Sequence, residues 1–130
     1  MSDSVEEVVY NYLTTDSTFM GFYSGVYWQE ADATTVPYIV FWLVDDAGIE
    51  TRLNKAYQGE ARIQFDLWDT NKIRGARLQT KLRQKVRDLS EVSGGYVVMT
   101  EGVTTQTIQR QSTTGSFHFV VDGIIKWHEE

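Results

Sequence analysis

The sequence predicts an α+β fold, a mixed or antiparallel sheet of about five to six strands with two helices packed on one face. Three observations predict it. Apolar residues recur at helical spacing after Ser4 and again between Asn71 and Leu89. Alternating or continuous apolar runs mark strands at 38–44, 61–68 and 117–127. The order helix, three strands, helix, three strands lacks the strict alternation that a parallel sheet requires. A chain of 130 residues accommodates this as one domain, residues 1–130, with no internal repeat and no low-complexity stretch.

Ser4 followed by Glu7 has the form of a capping box, and Val5, Val8, Val9, Tyr12 and Leu13 then share one face of a helix ending near Thr14. Residues 16–25 mix Ser, Thr and Gly with Phe19, Met20, Phe22 and Tyr23, and are expected to pack as a short turn. Val26–Trp28 reads as a short strand, and a polar loop then leads to Pro37. Tyr38–Val44 is apolar at both alternating sets, which predicts a strand covered on both faces. Asp45–Gly48 reads as a turn, and 49–59 as an ambiguous hairpin arm. Ala61, Ile63, Phe65 and Leu67 alternate with Arg62, Gln64, Asp66 and Trp68, a half-buried strand, and Asp69-Thr70-Asn71 supplies capping residues for the next helix. After Gly94-Gly95, 96–100 and 103–109 read as two strands about Gly102, with a turn at 112–115 and a last strand carrying Phe117, Phe119, Val121, Ile125 and Trp127.

Charge is distributed unevenly. Lys72, Arg74, Arg77, Lys81, Arg83, Lys85 and Arg87 stand against Asp88 alone between 71 and 89, a balance of +6. The chain totals −6, so the remaining residues carry −12. On a helical wheel Leu78, Leu82, Val86 and Leu89 form an apolar stripe, with Arg74, Arg77, Lys81 and Lys85 along one flank. Like charges four residues apart repel, and no glutamate is interspersed before Glu91. Nucleic-acid recognition fits poorly, because the helix carries no aromatic residue and the acidic remainder repels phosphates. A solvated surface and a docking surface for another protein remain. Docking onto the acidic body of a second copy joins two different patches, and such heterologous contacts build rings or filaments.

Several classes of chemistry lack their residues. There is no cysteine, hence no disulfide, thiol nucleophile or cysteine metal site. His118 and His128 are ten apart on one strand and cannot share a metal, so neither metal nor cofactor is expected. His118, in the polar set of its strand, is expected to be exposed or hydrogen-bonded. Nothing matches a phosphate loop, a zinc-protease motif or a dinucleotide fingerprint, so no catalytic residue is assigned. No run reaches the length of a membrane span and the N-terminus lacks a signal-peptide core, so the chain reads as non-membrane and unexported. Trp68, in an otherwise polar strand set, and the apolar excess of 38–44 suggest a surface shielded by a neighbouring subunit, or else by closure of the sheet on itself.

The N-terminal helix, "VPYIVFWLV", "ARIQFDLWDT" running into "IRGARLQTKLRQKVRDL", and the closing "GSFHFVVDGIIKW" together resemble the tail-terminator or tail-completion proteins of long-tailed bacteriophages. The resemblance implies a virion structural subunit, assembled in the host cytoplasm, that forms a ring, commonly of six copies, at the head-proximal end of the tail tube. Its partners would be other copies of itself, the major tail tube protein and the head connector, with DNA passing through the lumen unbound. Arg74, Arg77, Lys81, Lys85 and Trp68 are then the expected interface residues. The competing expectations are another neck component, a connector or stopper, and a monomeric enzyme or small-ligand module using Asp66, Asp122 or His118.

Overall fold

A computed structural model describes residues 4–30, 35–50, 57–93, 96–108 and 115–129. Helix α1 spans Val5–Thr14, and the Ser4 hydroxyl accepts the Glu7 amide at 3.2 Å as the capping box requires. A single turn, α2 (Ser17–Met20), follows, capped by Asp16. The strands are β1 (Gly25–Trp28), β2 (Tyr38–Glu50), β3 (Tyr57–Asp69), β4 (Ser90–Ser93), β5 (Tyr96–Ile108) and β6 (Phe117–Glu129), with α3 (Lys72–Arg87) between β3 and β4. Their order across the sheet is β1-β2-β3-β6-β5-β4; only β1–β2 is parallel. The fold is therefore the expected α+β class, with a mixed sheet of six strands.

Both long helices lie on the same face. Ile39 and Phe41 of β2, Ala61, Ile63, Phe65 and Leu67 of β3, and Phe119, Val121 and Ile125 of β6 alternate toward them and are fully or almost fully buried. Val5, Val8, Val9 and Leu13 meet them from α1, and Leu78, Leu82 and Val86 from α3. Two glycines set how closely α3 approaches. A Cβ on Gly75 would run into the Phe119 ring, and one on Gly123 would come within 3.0 Å of Val86 Cγ1.

Three local expectations are corrected. Residues 45–48 are not a turn: β2 continues to Glu50, and the Asp45 region instead holds a bulge where the register with β3 shifts between Leu43 and Asp45. Polar residues are tolerated there because β2 is an edge strand beyond the reach of β1. The two strands about Gly102 are one strand with a bulge between Thr100 and Gly102. The bulges stand at one level, since Asp45 pairs with Arg62, Arg62 with Ile124 and Ile124 with Gly102. Both kink and twist the sheet along that line. Nor is 38–44 covered on both faces: Trp42 is 41% and Val44 39% exposed, because all helices sit opposite. Among the described residues the two edges do not meet, so the sheet stays open. Strand β4 was not anticipated, and α2 stands where a turn was expected. Gly94-Gly95 and 112–114 of the expected turn lie outside the described residues.

Replacing Gly75 by alanine isolates the close approach of α3. Alanine gains about 1 kcal/mol in helix propensity, but the clash with Phe119 is expected to outweigh it, with a net loss of about 1–3 kcal/mol. Thermal denaturation of the variant would measure this.

Candidate assembly interface

The basic row of α3 is partly consumed by its own chain. Asn71 caps the helix by accepting the Arg74 amide at 2.9 Å. The Arg74 guanidinium then reaches back to Asp69, donating through Nε at 2.8 Å and Nη2 at 2.6 Å. Asp69 has no exposed surface and also accepts the Asn71 amide. Burial alone would raise its pKa, but these donors hold it below the usual carboxylate range. At the other end, Lys85 Nζ meets Asp16 at 2.9 Å and lies 4.0 Å from the centre of the Tyr12 ring. The lysine hydrogen bond, ahead of the Phe19 amide, lowers the Asp16 pKa. Tyr12 donates its hydroxyl to the Lys85 carbonyl at 2.7 Å, and Tyr23 donates to the Leu78 carbonyl at 2.8 Å. Burial, reinforced by Asp88, Glu91 and Asp16, pushes Tyr12 up to about 12, so it remains a donor. The α1–α2 segment is thus an aromatic shelf against the basic flank.

Between these anchors the surface is open. Lys81 lies 4.3 Å from the Phe22 ring centre, and both residues are exposed, Phe22 by 43%. Arg77 is exposed and has no ion-pair partner among the described residues. Asn71, Ile73, Arg74, Arg77, Leu78 and Lys81 line a shallow depression, beside which Ile73 is 67% exposed. It combines cations with apolar surface, which suits a partner segment bearing carboxylates next to an apolar side chain.

The uncovered sheet face carries a second cluster. Asp66 accepts Trp42 Nε1 at 3.0 Å and Gln64 Nε2 at 2.9 Å, and its Oδ1 lies 2.8 Å from His118 Nε2. The His118 ring stacks on Trp68, centroids 4.2 Å apart and planes within 3°. Burial opposes the charge of Asp66, yet the contacts from His118, Gln64 and Trp42 bring its pKa below the usual value. Asp122 pairs with Arg62 at 3.4 Å. Asp66, Trp42, Val40, Leu43 and Gln29 border a depression open to solvent. It is not the apolar pocket with a carboxylate at its base that a small-ligand site would need. The hydrogen-bonded role expected of His118 is observed, and among the described residues no group of three potential metal ligands occurs.

The expected interface residues therefore separate into kinds. Arg74 and Lys85 are anchors of α3, Lys81 and Arg77 face solvent at its middle, and Trp68 lies on the opposite sheet face. Sequence reasoning missed Asp69 and Asp16 as their partners. Asp69 precedes the N-cap by two residues, where a carboxylate can turn back to the first helical turn; Asp16 is 69 residues from Lys85, with no local signal.

Arg74→Ala is expected to cost about 1–3 kcal/mol, discounted for the half-exposed guanidinium, whereas Arg77→Ala stays within about 0.5 kcal/mol. Asp16, Asp66 and Asp69 all have lowered folded-state pKa values, against an ordinary value of 3.8. Their stabilisation is complete above that ordinary value and is lost as the pH falls through the lower folded values. Urea melts across this acid range should show stability falling, with a shallower fall in Arg74→Ala.

The sequence matches no family model and no curated protein. The fold does have a counterpart among solved structures. A chain described as "Virion of native gene transfer agent (GTA) particle" superposes with a TM-score of 0.68 at 11% identity, covering 98% of this chain and 95% of that one. At that identity the likeness is one of fold, shared over nearly the full length of both.

Proposed function

We propose that this chain is a virion structural protein, a subunit that forms a ring at the head-proximal end of a phage-type tail tube, ends tube polymerisation and joins the tail to the head. The observation that carries the reading is the likeness of fold to a gene transfer agent virion component, which leaves almost no part of either chain unmatched. Fold alone does not specify activity, so the choice of the neck within the virion rests on the resemblance of sequence pattern to tail terminators. The chain acts by assembly, without catalysis, cofactor or metal. Its partners are further copies of itself, six in the family it resembles, the tail tube protein and the head connector. An acidic body of −12 suits a lumen through which DNA passes without being held.

Within this reading the cations of α3 divide their labour. Arg74 and Lys85 fix the helix to the body, while Arg77 and Lys81 present charge to the tube or connector. Trp68, on the other sheet face, meets a different neighbour. Charge complementarity of this kind selects partner and register more than it adds affinity.

Particles produced without the protein should carry overlong tails in negative stain. Free tails of normal length would instead indicate a connector or stopper, and intact particles would overturn a virion role. The double reversal Arg77→Glu, Lys81→Glu should leave a folded chain and heads unjoined to tails.

A further inference from the structure

Each edge strand of the sheet is covered along only four of its thirteen residues. β1 pairs with β2 only at 38–41, and the Gln29 amide then bonds the Phe41 carbonyl at 2.8 Å. From Trp42 to Glu50, β2 has no outer partner among the described residues. β4 pairs with β5 only at 96–99, and the Thr100 amide bonds the Leu89 carbonyl at 3.2 Å. From Glu101 to Ile108, β5 likewise has no outer partner among the described residues. Open edges of eight or nine residues are templates for pairing, which monomeric proteins shorten or cover.

We propose that the open edge of β2 in one copy pairs antiparallel with the open edge of β5 in the next, so that the ring is closed by one continuous sheet. This rests on the ring reading above and names its contact. Directions agree: β2 is antiparallel to β3, β3 to β6 and β6 to β5, so β2 and β5 run oppositely and meet as an antiparallel pair. The open stretches are of similar length. Charge selects among the possible pairings. By composition, β2 against β2 would bring two stretches of three acids each together, 42–50 with its own copy, whereas 101–108 carries Glu101 as its one acid. β5 against β5 would leave the β2 edge unpaired.

The offset of the two edges also fits a closed ring. Following the register across the sheet, Leu43 stands level with Val103 and Tyr38 with Ile108, so the open part of β5 lies level with the part of β2 that β1 covers. Pairing the open stretches centre to centre therefore shifts each copy along the strands by roughly four to five residues, ~15 Å at ~3.3 Å per residue. The four long strands of one copy are ~19 Å across at their usual spacing. The strands would then tilt by about 40° to the ring axis, within the roughly 35–45° of closed sheets.

Proline tests the contact without disturbing the internal ladder. Phe41 faces the open edge, and beyond the bulge the alternation brings the Asp46 amide there; by the same count the Thr105 amide faces the β5 edge. Asp46→Pro and Thr105→Pro each remove an edge donor. Hydrogen exchange of the full chain, concentrated or added to assembled tubes, should show at least tenfold slower exchange in 42–50 and 101–108 than in dilute monomer. Each variant alone should sediment as a monomer with unchanged circular dichroism, and a mixture of the two should give a heterodimer, joined through the edges left intact. A variant that loses its circular dichroism is replaced by Asp46 or Thr105 N-methylated at the backbone by semisynthesis. Rings in which either segment exchanges as in monomer would overturn the edge contact alone. Dimers of Asp46→Pro by itself would mean β5–β5 pairing and overturn it too. Failure to assemble under any condition would overturn the ring reading with it.

Discussion

Among the described residues, helices cover one face of the sheet, and β1 and β4 each pair with only four residues of the thirteen-residue strand beside them, which leaves the other face and most of both edges to water or to a neighbour. The covered face is packed as tightly as the glycines at 75 and 123 allow, while Trp42 and Val44 stand on the other face in water. The exposed aromatic, and the strand edges that have no partner among the described residues, would cost little with a neighbour covering them. The same features would be liabilities in a monomer.

A helix with seven cations looks in sequence like one uniform surface. In the fold the row Arg74, Arg77, Lys81 and Lys85 alone divides in three: an anchor at Asp69, an anchor at Asp16, and a middle about Arg77 that has no ion pair among the described residues. The anchors keep the helix from sliding on the sheet, so the position of the free charge relative to the sheet edges is fixed. An assembly contact needs that rigidity, because side chains ordered in advance lose less entropy on binding.

The helices, the buried strand sets and the fold class were legible because each is written in a local period. Val5 to Leu13 and Leu78 to Val86 repeat at helical spacing, and Ala61 to Leu67 at strand spacing. The bulges were not legible. Asp45-Asp46-Ala47-Gly48 has the composition of a turn, and only pairing with 59–62 makes it a strand. Gly102 likewise broke the period without breaking β5. Among the site residues, His118 was placed in the polar set correctly, but its pairing with Asp66 across 52 residues is a property of the sheet register. The same holds for Lys85 with Asp16: a salt bridge between distant segments leaves no trace in either.

Electron cryo-microscopy of tails purified from particles that contain this chain would locate it in the virion. One closed ring of this chain is expected, at the head-proximal end of the tube and nowhere else. Density for the chain repeated along the tube, built into the capsid, or absent from the neck would contradict it.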